Sequence, residues 1–148
     1  FSSRESFDQA LSELLIKHEF DLIVLAGFMR ILSNSFIEKF NKKIINIHPS
    51  LLPKYPGLKT HEKVMNNNDN YHGVTIHLVD EGLDSGPIIA QARFKATKYK
   101  DIDSLISKVH SIEHKLYPLI IKMIIEGEIN LNELSGKNFK CYEDELDL

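Results

Sequence analysis

The feature that most constrains the fold is a short apolar run, DLIVLAGF, at residues 21–28. The run is rich in branched residues, does not alternate with polar positions, and contains Gly27 near its end. A run of this length without alternation is typical of a strand that is buried on both faces, as in a parallel sheet. We therefore predict that it forms a strand inside an α/β sheet.

The rest of the chain alternates between strand-like and helix-like patterns. Further strands are predicted at residues 43–48, 73–79, 88–96 and 129–132, and helices at 6–19, 33–40, 58–65 and 101–127. The first helix should bury the stripe formed by Phe7, Leu11, Leu14 and Leu15. Strands alternating with helices predict an α/β fold, and consecutive strands late in the chain predict an antiparallel edge.

Composition and charge exclude several classes of protein. A chain of 148 residues with 43% hydrophobic and 26% charged residues suits one globular domain. The single cysteine, Cys141, excludes a disulfide framework and any multi-cysteine metal site. A net charge of −3 without a basic block gives no indication of a nucleic-acid partner, and no apolar stretch is long enough to span a bilayer.

Two polar side chains mark the end of the second predicted strand. Asn46 and His48 are two residues apart, so they project from the same face of the strand, and Pro49 ends the strand. An amide donor beside an imidazole can stabilise an oxyanion and move a proton near neutral pH. Taken alone, the pair is better explained by hydrogen bonds to loop backbone.

Other candidate residues are also ambiguous when they are considered singly. Asp84, in the turn-rich loop at residues 80–87, would orient His48 and favour its protonated form if the two meet. Otherwise the loop is an acidic surface turn. His110 and His114 have a spacing that can chelate a metal on a helix, but no further ligands complete a metal frame. Arg30 suits either an anionic ligand or a surface ion pair.

Four segments of the chain, taken together, resemble the folate-dependent formyltransferase family. They are LAGFMRIL at 25–32, INIHPSLLPKYPG at 45–57, HGVTIH at 72–77 running on to LDSGPII at 83–89, and EHKLYP at 113–118. The likeness extends to about residue 127. It implies a Rossmann-like formyltransferase fold, a mostly parallel sheet flanked by helices with an antiparallel edge.

The resemblance implies an enzyme that transfers a formyl group from 10-formyltetrahydrofolate. It is closest to family members that formylate the glycinamide amine of glycinamide ribonucleotide in de novo purine biosynthesis. It maps the catalytic residues onto Asn46, His48 and Asp84. Asn46 and protonated His48 would stabilise the oxyanion, while Asp84 would favour the charge on His48 and assist proton transfer.

The resemblance also implies binding residues and partners. The positions expected to bind 10-formyltetrahydrofolate are Arg4, Met29, Arg30, Ile31, Leu32, Asn46, Asp80, Glu81, Gly82, Leu83 and Asp84. The positions expected to bind the nucleotide are His110 and Glu113. The expected partners are these two small molecules, with no metal, nucleic acid or membrane, and a cytoplasmic location is expected.

The resemblance implies that residues 1–148 are a single formyltransferase domain, the C-terminal portion of the family's domain. The family begins with a strand and a glycine-rich turn that binds the substrate phosphate at a helix N-terminus. Two βα units, roughly 60 residues at about 30 each, have no counterpart in this sequence. We expect a protein of these 148 residues alone to be unstable or inactive.

Several alternatives stay open at this point. A hydrolase of the same family would pass the formyl group to water. A tRNA-specific member would carry an RNA-binding domain, which the short acidic segment after the last helix does not resemble. Outside formyl transfer, the sequence allows a folate- or nucleotide-binding module without catalysis, or a metal-dependent hydrolase that uses His48, His61 and His77.

Overall fold

The computed structural model describes residues 1, 3–134 and 139–143, which form a layer of helices and one mixed sheet. The helices are α1 (Arg4–Ile16), α2 (Asn34–Lys39), α3 (Thr60–Asn66) and α4 (Ile102–Ile125), with a 3₁₀ helix at Ala96–Lys98. The strands are β1 (Ile23–Leu25), β2 (Ile44–His48), β3 (Tyr71–Leu78), β4 (Ile88–Lys95) and β5 (Lys140–Glu143).

The strands lie in the order β1-β2-β3-β4-β5. β1 is parallel to β2 and β5 is parallel to β4, whereas β3 is antiparallel to both of its neighbours. Four strands therefore run in one direction, which confirms the predicted α/β fold with a mostly parallel sheet. The antiparallel strand, expected towards an edge, is the middle strand of the described sheet. The connection through α3 returns the chain to the end of the sheet at which β2 finishes.

The larger apolar core lies between α4 and the sheet. Asp101 begins α4, because its Oδ1 accepts a hydrogen bond from the backbone N–H of Ser104 at 2.8 Å. Helical spacing then places one stripe of α4 against β3 and β4. The fully buried members of this stripe are Leu105, Val109, Leu116 and Ile120.

A smaller core lies beneath α2 and receives part of α1. Leu32, Phe36 and Ile44 are among its buried members. The predicted stripe of α1 is partly wrong, because Leu14 is 54% exposed whereas Asp8 and Ser12 are the residues of this helix that are buried. The spacing of apolar residues did not identify the covered face of α1, because that face is centred on the polar residues Asp8 and Ser12.

Two strand predictions are wrong in detail. β1 covers only three residues of the predicted run, and Val24 is 41% exposed because β1 is the edge strand of the described sheet. Residues 129–132 form turns rather than a strand. The backbone N–H groups of Glu128 and Ile129 both donate to the carbonyl of Met123, so Ile129 folds back onto the core behind the end of α4.

Among the described residues, no helix is long and apolar enough to cross a membrane.

Candidate active site

The register of the sheet brings polar side chains together where β2 ends. Asn46 lies directly opposite His77 of β3, and His48 lies opposite Thr75. Residues that pair across antiparallel strands project from the same face. Asn46, His48 and His77 therefore form one cluster, in which the two imidazoles are only 6% and 2% exposed.

Each nitrogen of the His48 ring lies near an oxygen atom that can accept a hydrogen bond or balance a charge. Nε2 lies 2.9 Å from the carbonyl oxygen of Tyr55. A carbonyl oxygen only accepts, so Nε2 carries a proton and donates it. Nδ1 lies 3.4 Å from Oδ2 of Asp84. When His48 is protonated, the carboxylate therefore lies close enough to balance its charge, and Nδ1, unlike Nε2, can exchange its proton in the site.

Asp84 reaches His48 because two loops meet. Its Oδ2 also accepts a hydrogen bond from the backbone N–H of Gly57 at 2.7 Å, which joins the loop at 80–87 to the loop at 49–57. Asp84 has a φ of 51°, in the left-handed region that aspartate tolerates better than most residues. The backbone therefore holds the carboxylate over the imidazole.

The cluster also contains His77, to which the sequence analysis assigned no role in formyl transfer. Its Nδ1 donates to the carbonyl of Leu78 at 2.7 Å, while burial lowers its pKa and keeps the ring neutral near pH 7. Nε2 is then an acceptor, and it lies 3.4 Å from Nδ2 of Asn46. His77 thereby orients the Asn46 amide. The alternation at residues 73–79 could have indicated His77, because it places this residue on the face of the strand opposite to Val74, Ile76 and Leu78.

The loop at 49–57 is held in place by Thr75. The Thr75 hydroxyl donates to the carbonyl of Ser50 at 2.7 Å and accepts from the backbone N–H of Leu52 at 3.1 Å. Gln91 of β4 adds a third link, since its Nε2 donates to the Leu52 carbonyl at 2.7 Å and to Thr75 Oγ1 at 2.9 Å. These bonds fix the loop whose Tyr55 carbonyl and Gly57 amide contact His48 and Asp84.

A cleft of about 670 Å³ opens beside the cluster. This volume suits a small-molecule ligand. The lining of the cleft includes Gly27, Phe28 and Met29, which follow β1, together with residues of β2 and α4. The residues of α4 and β2 that line the cleft are Asn46, Ile47, His48, His110, Glu113, His114, Tyr117, Pro118 and Ile121.

Three of the predicted binding positions outside the catalytic trio line this cleft: Met29, His110 and Glu113. Met29 is 78% exposed. Glu113 is partly buried, and the loss of solvent raises the pKa of its carboxyl group. Its neighbours His110 and His114 stack on the same face of α4, with ring centroids 6.4 Å apart.

Other predicted folate positions lie beside the cleft rather than in its lining. Ile31 is exposed, but Leu32 is buried in the smaller core. The guanidinium of Arg30 lies over the ring of Phe7, 4.2 Å from its centroid. Arg4 begins α1, where its Nε lies 3.6 Å from Oε1 of Glu5.

The loop at 80–84 is ordered by its own side chains. Oδ1 of Asp80 accepts from the Gly82 amide at 3.1 Å and from the Ser85 hydroxyl at 2.8 Å. Oε2 of Glu81 accepts from Asn34 of α2 at 3.2 Å. Leu83 is exposed beside Gly57, so a side chain at Gly57 would meet its Cδ2 at 3.2 Å.

Tyr117 of α4 joins the strand ends beneath the cleft. Its hydroxyl lies 2.8 Å from the carbonyl oxygen of Leu25 and 3.2 Å from that of Ile45. Burial raises the pKa of Tyr117, so the hydroxyl stays protonated and donates. Leu25 precedes residues 26–29 of the cleft lining and Ile45 precedes Asn46, so one hydroxyl links α4 to the adjacent strands β1 and β2.

A second pair of histidines, His61 and His72, lies beside the site, and His61 lines the cleft. Nδ1 of His61 and Nε2 of His72 are 2.9 Å apart, and burial lowers the pKa of both rings, that of His72 to about 4. Across the described ranges, no group of three or more His, Cys, Asp or Glu residues is arranged to hold a metal ion.

Comparison with known proteins identifies the family. The family model described as formyl transferase matches residues 1–121, which is most of the chain. This chain belongs to the formyl transferase family. The resemblance inferred from the four sequence segments is therefore confirmed.

Relatives within the formyl transferase family include purine-synthesis proteins. Phosphoribosylglycinamide formyltransferase of Escherichia coli (strain K12) is 42% identical over 133 residues, covering 90% of this chain and 63% of that protein. The trifunctional purine biosynthetic protein adenosine-3 of Homo sapiens is 37% identical over 137 residues, covering 93% of this chain and 14% of that protein. The chain thus spans less than two thirds of the E. coli relative.

Solved structures agree with the formyl transferase assignment. Phosphoribosylglycinamide formyltransferase from Coxiella burnetii, in complex with CHES, has a TM-score of 0.86 and 39% identity, covering 96% of this chain and 71% of that one. The Bacillus halodurans enzyme of the same name has a TM-score of 0.83 and 37% identity, covering 88% of this chain and 68% of that one. The predicted formyltransferase fold is confirmed.

Proposed function

We propose that this protein transfers the formyl group of 10-formyltetrahydrofolate to the glycinamide amine of glycinamide ribonucleotide, a step of de novo purine biosynthesis. The observation that carries the proposal is that Asp84 contacts His48, and His77 contacts Asn46, beside a small-molecule cleft that Asn46 and His48 line. The names of the relatives support the choice of substrates. We also propose that residues 1–148 belong to a single formyltransferase domain.

The reaction begins when the amine nitrogen attacks the formyl carbon. A new C–N bond forms, and the carbonyl π electrons move onto oxygen, giving a tetrahedral oxyanion. The bond between this carbon and N10 of the folate then breaks, and its electrons reform the carbonyl. The attacking amine loses one proton and N10 gains one, so the products are the formylated amide and tetrahydrofolate.

Asn46 and His48 stabilise the oxyanion. One N–H of the Asn46 amide is directed to His77, which leaves the second N–H of Nδ2 for the ligand. Protonated His48 offers Nδ1–H, because Nε2–H is committed to the Tyr55 carbonyl. Two donors fixed before the reaction starts stabilise the developing charge without reorganisation.

Asp84 balances the charge on His48 and assists the transfer of the amine proton. Its Oδ2 is held by the Gly57 amide, and its Oδ1 lies 3.6 Å from Nε2 of neutral His77. This carboxylate lies 3.4 Å from Nδ1 of His48. It is also close enough to accept a proton from the attacking amine, directly or through one water.

The two substrates bind on opposite walls of the cleft. The formyl donor lies against Met29, Arg30 and Ile31, the backbone at Leu32, and the loop at 80–84, with Arg4 near its anionic tail. The nucleotide lies against α4, where His110 and Glu113 contact its ribosyl or glycinamide end. The presence of His110 and Glu113 of α4, and of Met29 after β1, in the lining of the same cleft supports this division.

The experiment that tests the proposal offers three acceptors to the full-length protein. Formyl transfer from 10-formyltetrahydrofolate is measured with glycinamide ribonucleotide, with methionyl-tRNA and with water alone. We expect turnover with glycinamide ribonucleotide only. Equal release of tetrahydrofolate without an acceptor identifies a hydrolase, and folate binding without turnover identifies a binding module; either result contradicts the proposal.

A further inference from the structure

The segment at residues 28–32 leaves the end of β1 without regular structure and begins in the wall of the cleft. In the described part of the chain, no backbone–backbone hydrogen bond reaches these five residues. Free backbone groups beside the exposed side chain of Met29 suit contact with a flat, polar-edged ligand. The path of the segment must therefore be fixed by other parts of the protein.

Two successive residues of α1 contact the segment on either side of Ile31 and Leu32. The ring of Phe7 lies beneath the guanidinium of Arg30, 4.2 Å from its carbon. Oδ2 of Asp8 accepts a hydrogen bond from the backbone N–H of Ser33 at 2.5 Å. A single turn of α1 thus contacts the segment at its middle residue and holds the residue that follows its C-terminal end.

The placement of Asp8 is unfavourable for packing alone. Asp8 is 3% exposed, and its Oδ1 is buried without a hydrogen-bond partner among the described residues. Burying a carboxyl group with an unsatisfied oxygen destabilises a fold, and an apolar side chain would fill the same space without that cost. What Asp8 supplies instead is a directional bond to one backbone amide.

That amide lies at the junction between the segment and α2. Ser33 is the N-cap of α2, and its hydroxyl faces the backbone N–H of Phe36 at 3.4 Å. Fixing the N–H of Ser33 therefore fixes the angle at which residues 28–32 enter the helix. Phe7 then limits the position of Arg30, three residues earlier, through a cation–π contact.

We propose that Asp8, assisted by Phe7, is a positioning residue that holds residues 29–32 in the conformation that binds the formyl donor. The inference rests on the proposed function, which assigns 10-formyltetrahydrofolate to this segment. Asp8 itself contacts no substrate. Its loss affects donor binding selectively, because the nucleotide is assigned to α4 on the opposite wall.

The test compares Asp8→Ala and Asp8→Asn with Ser12→Ala in the full-length protein. Ser12 is the matched control, since it is buried on the same face of α1 one turn later. For Asp8→Ala we expect a rise of about tenfold in KM for 10-formyltetrahydrofolate, the loss typical of one strong hydrogen bond. KM for the nucleotide and kcat at saturating donor should change less than about twofold.

The Asn variant separates positioning from a general role in folding. Asp8→Asn keeps an oxygen that can accept from Ser33, so we expect it to recover most of the donor affinity. Unchanged donor KM in Asp8→Ala overturns the inference. Equal rises in both KM values, or the same rise in Ser12→Ala, also overturn it by showing that α1 acts only through stability.

Two further measurements test the inference if Asp8→Ala does not fold. Phe7→Leu should raise the donor KM about threefold, as expected for loss of one exposed cation–π contact. Amide hydrogen exchange at residues 28–33 should be faster in Asp8→Leu, which fills the buried space without accepting from Ser33, than in Asp8→Asn. A wild-type donor KM in Phe7→Leu, together with wild-type exchange rates at residues 28–33 in Asp8→Leu, overturns the inference. Failure of the wild-type protein to bind any folate instead contradicts the proposed function, whatever the exchange rates show.

Discussion

Nε2 of His48 lies 2.9 Å from the carbonyl oxygen of Tyr55, seven residues further along the chain. This bond assigns a proton to Nε2 and leaves Nδ1 facing Asp84. In the proposed mechanism, the loop at 49–57 therefore acts through its backbone, because its conformation determines which His48 nitrogen serves the reaction.

Removing the Thr75 hydroxyl should release this loop. Thr75→Val preserves the shape of the side chain but leaves the Leu52 amide and the Ser50 carbonyl without their partner. We expect kcat to fall about tenfold or more, because small displacements of catalytic groups are costly. Steady-state kinetics check this, with Thr75→Ser as the control that keeps the hydroxyl. Equal kcat in the Val and Ser variants would contradict the proposed role of the loop.

Replacing Asp84 by Asn should abolish most turnover while preserving the fold. Asparagine tolerates the left-handed φ of 51° and can still accept from Gly57, but it carries no charge to balance His48. We expect kcat to fall by about 10² or more, comparable to the loss of an oxyanion donor or an orienting carboxylate. Ser85→Ala, in the same loop, is the matched control, because it removes a loop hydrogen bond and leaves the charge of Asp84 in place. A loss of kcat as large in the control would show that loop structure, and not the charge of Asp84, matters.

Tyr117→Phe should destabilise the protein. The substitution keeps the ring and removes the hydroxyl that donates to Leu25 and Ile45. Losing these hydrogen bonds should lower the free energy of unfolding by about 1–3 kcal/mol. Urea denaturation measures the change. Tyr142→Phe, which removes a partly exposed hydroxyl 4.0 Å from a methionine sulfur, should cost much less. Equal losses in the two variants would argue against the strand-linking role of Tyr117.

Folding stability should fall as the pH is lowered through the range in which His72 titrates. Burial, followed by the influence of His61, lowers the pKa of His72 from 6.5 to about 4 in the folded state. The unfolded chain then binds the proton more tightly, so this contribution to stability is complete above pH 6.5 and is lost between about pH 6.5 and 4. The difference corresponds to about 3 kcal/mol.

Denaturation at pH 7.5 and pH 5 measures this dependence. His72→Asn should show a smaller difference between the two pH values than the wild type, since asparagine does not titrate. His18→Asn, at an exposed position after α1, is the control and should retain the wild-type difference. An unchanged pH dependence in His72→Asn would contradict the assignment.

Local signals in the sequence predicted much of the fold. Ser33 and Asp101 begin helices because their side chains cap the first turn, which is information contained within four residues. The shared face of Asn46 and His48 followed from the period of a strand in the same way.

Features that depend on long-range pairing could not be read from the chain. The contact of His77 with Asn46 requires the register between β2 and β3, which nothing near either residue specifies. The exposure of Val24 depends on the position of β1 at the edge of the described sheet, although its sequence is that of a central strand. The burial of Asp8 could not be predicted from its hydrophilic character, because the residue that it bonds, Ser33, lies 25 residues further along the chain.

The measurement that tests the central claim most directly is single-turnover formyl transfer to glycinamide ribonucleotide by the wild-type protein and by His48→Ala. Donor binding is measured in parallel, and His18→Ala serves as the control. The account predicts that His48→Ala binds 10-formyltetrahydrofolate with an affinity close to that of the wild type but transfers the formyl group at least about 10²-fold more slowly. Transfer at the wild-type rate by His48→Ala would contradict the assignment of the reaction to the Asn46, His48 and Asp84 cluster.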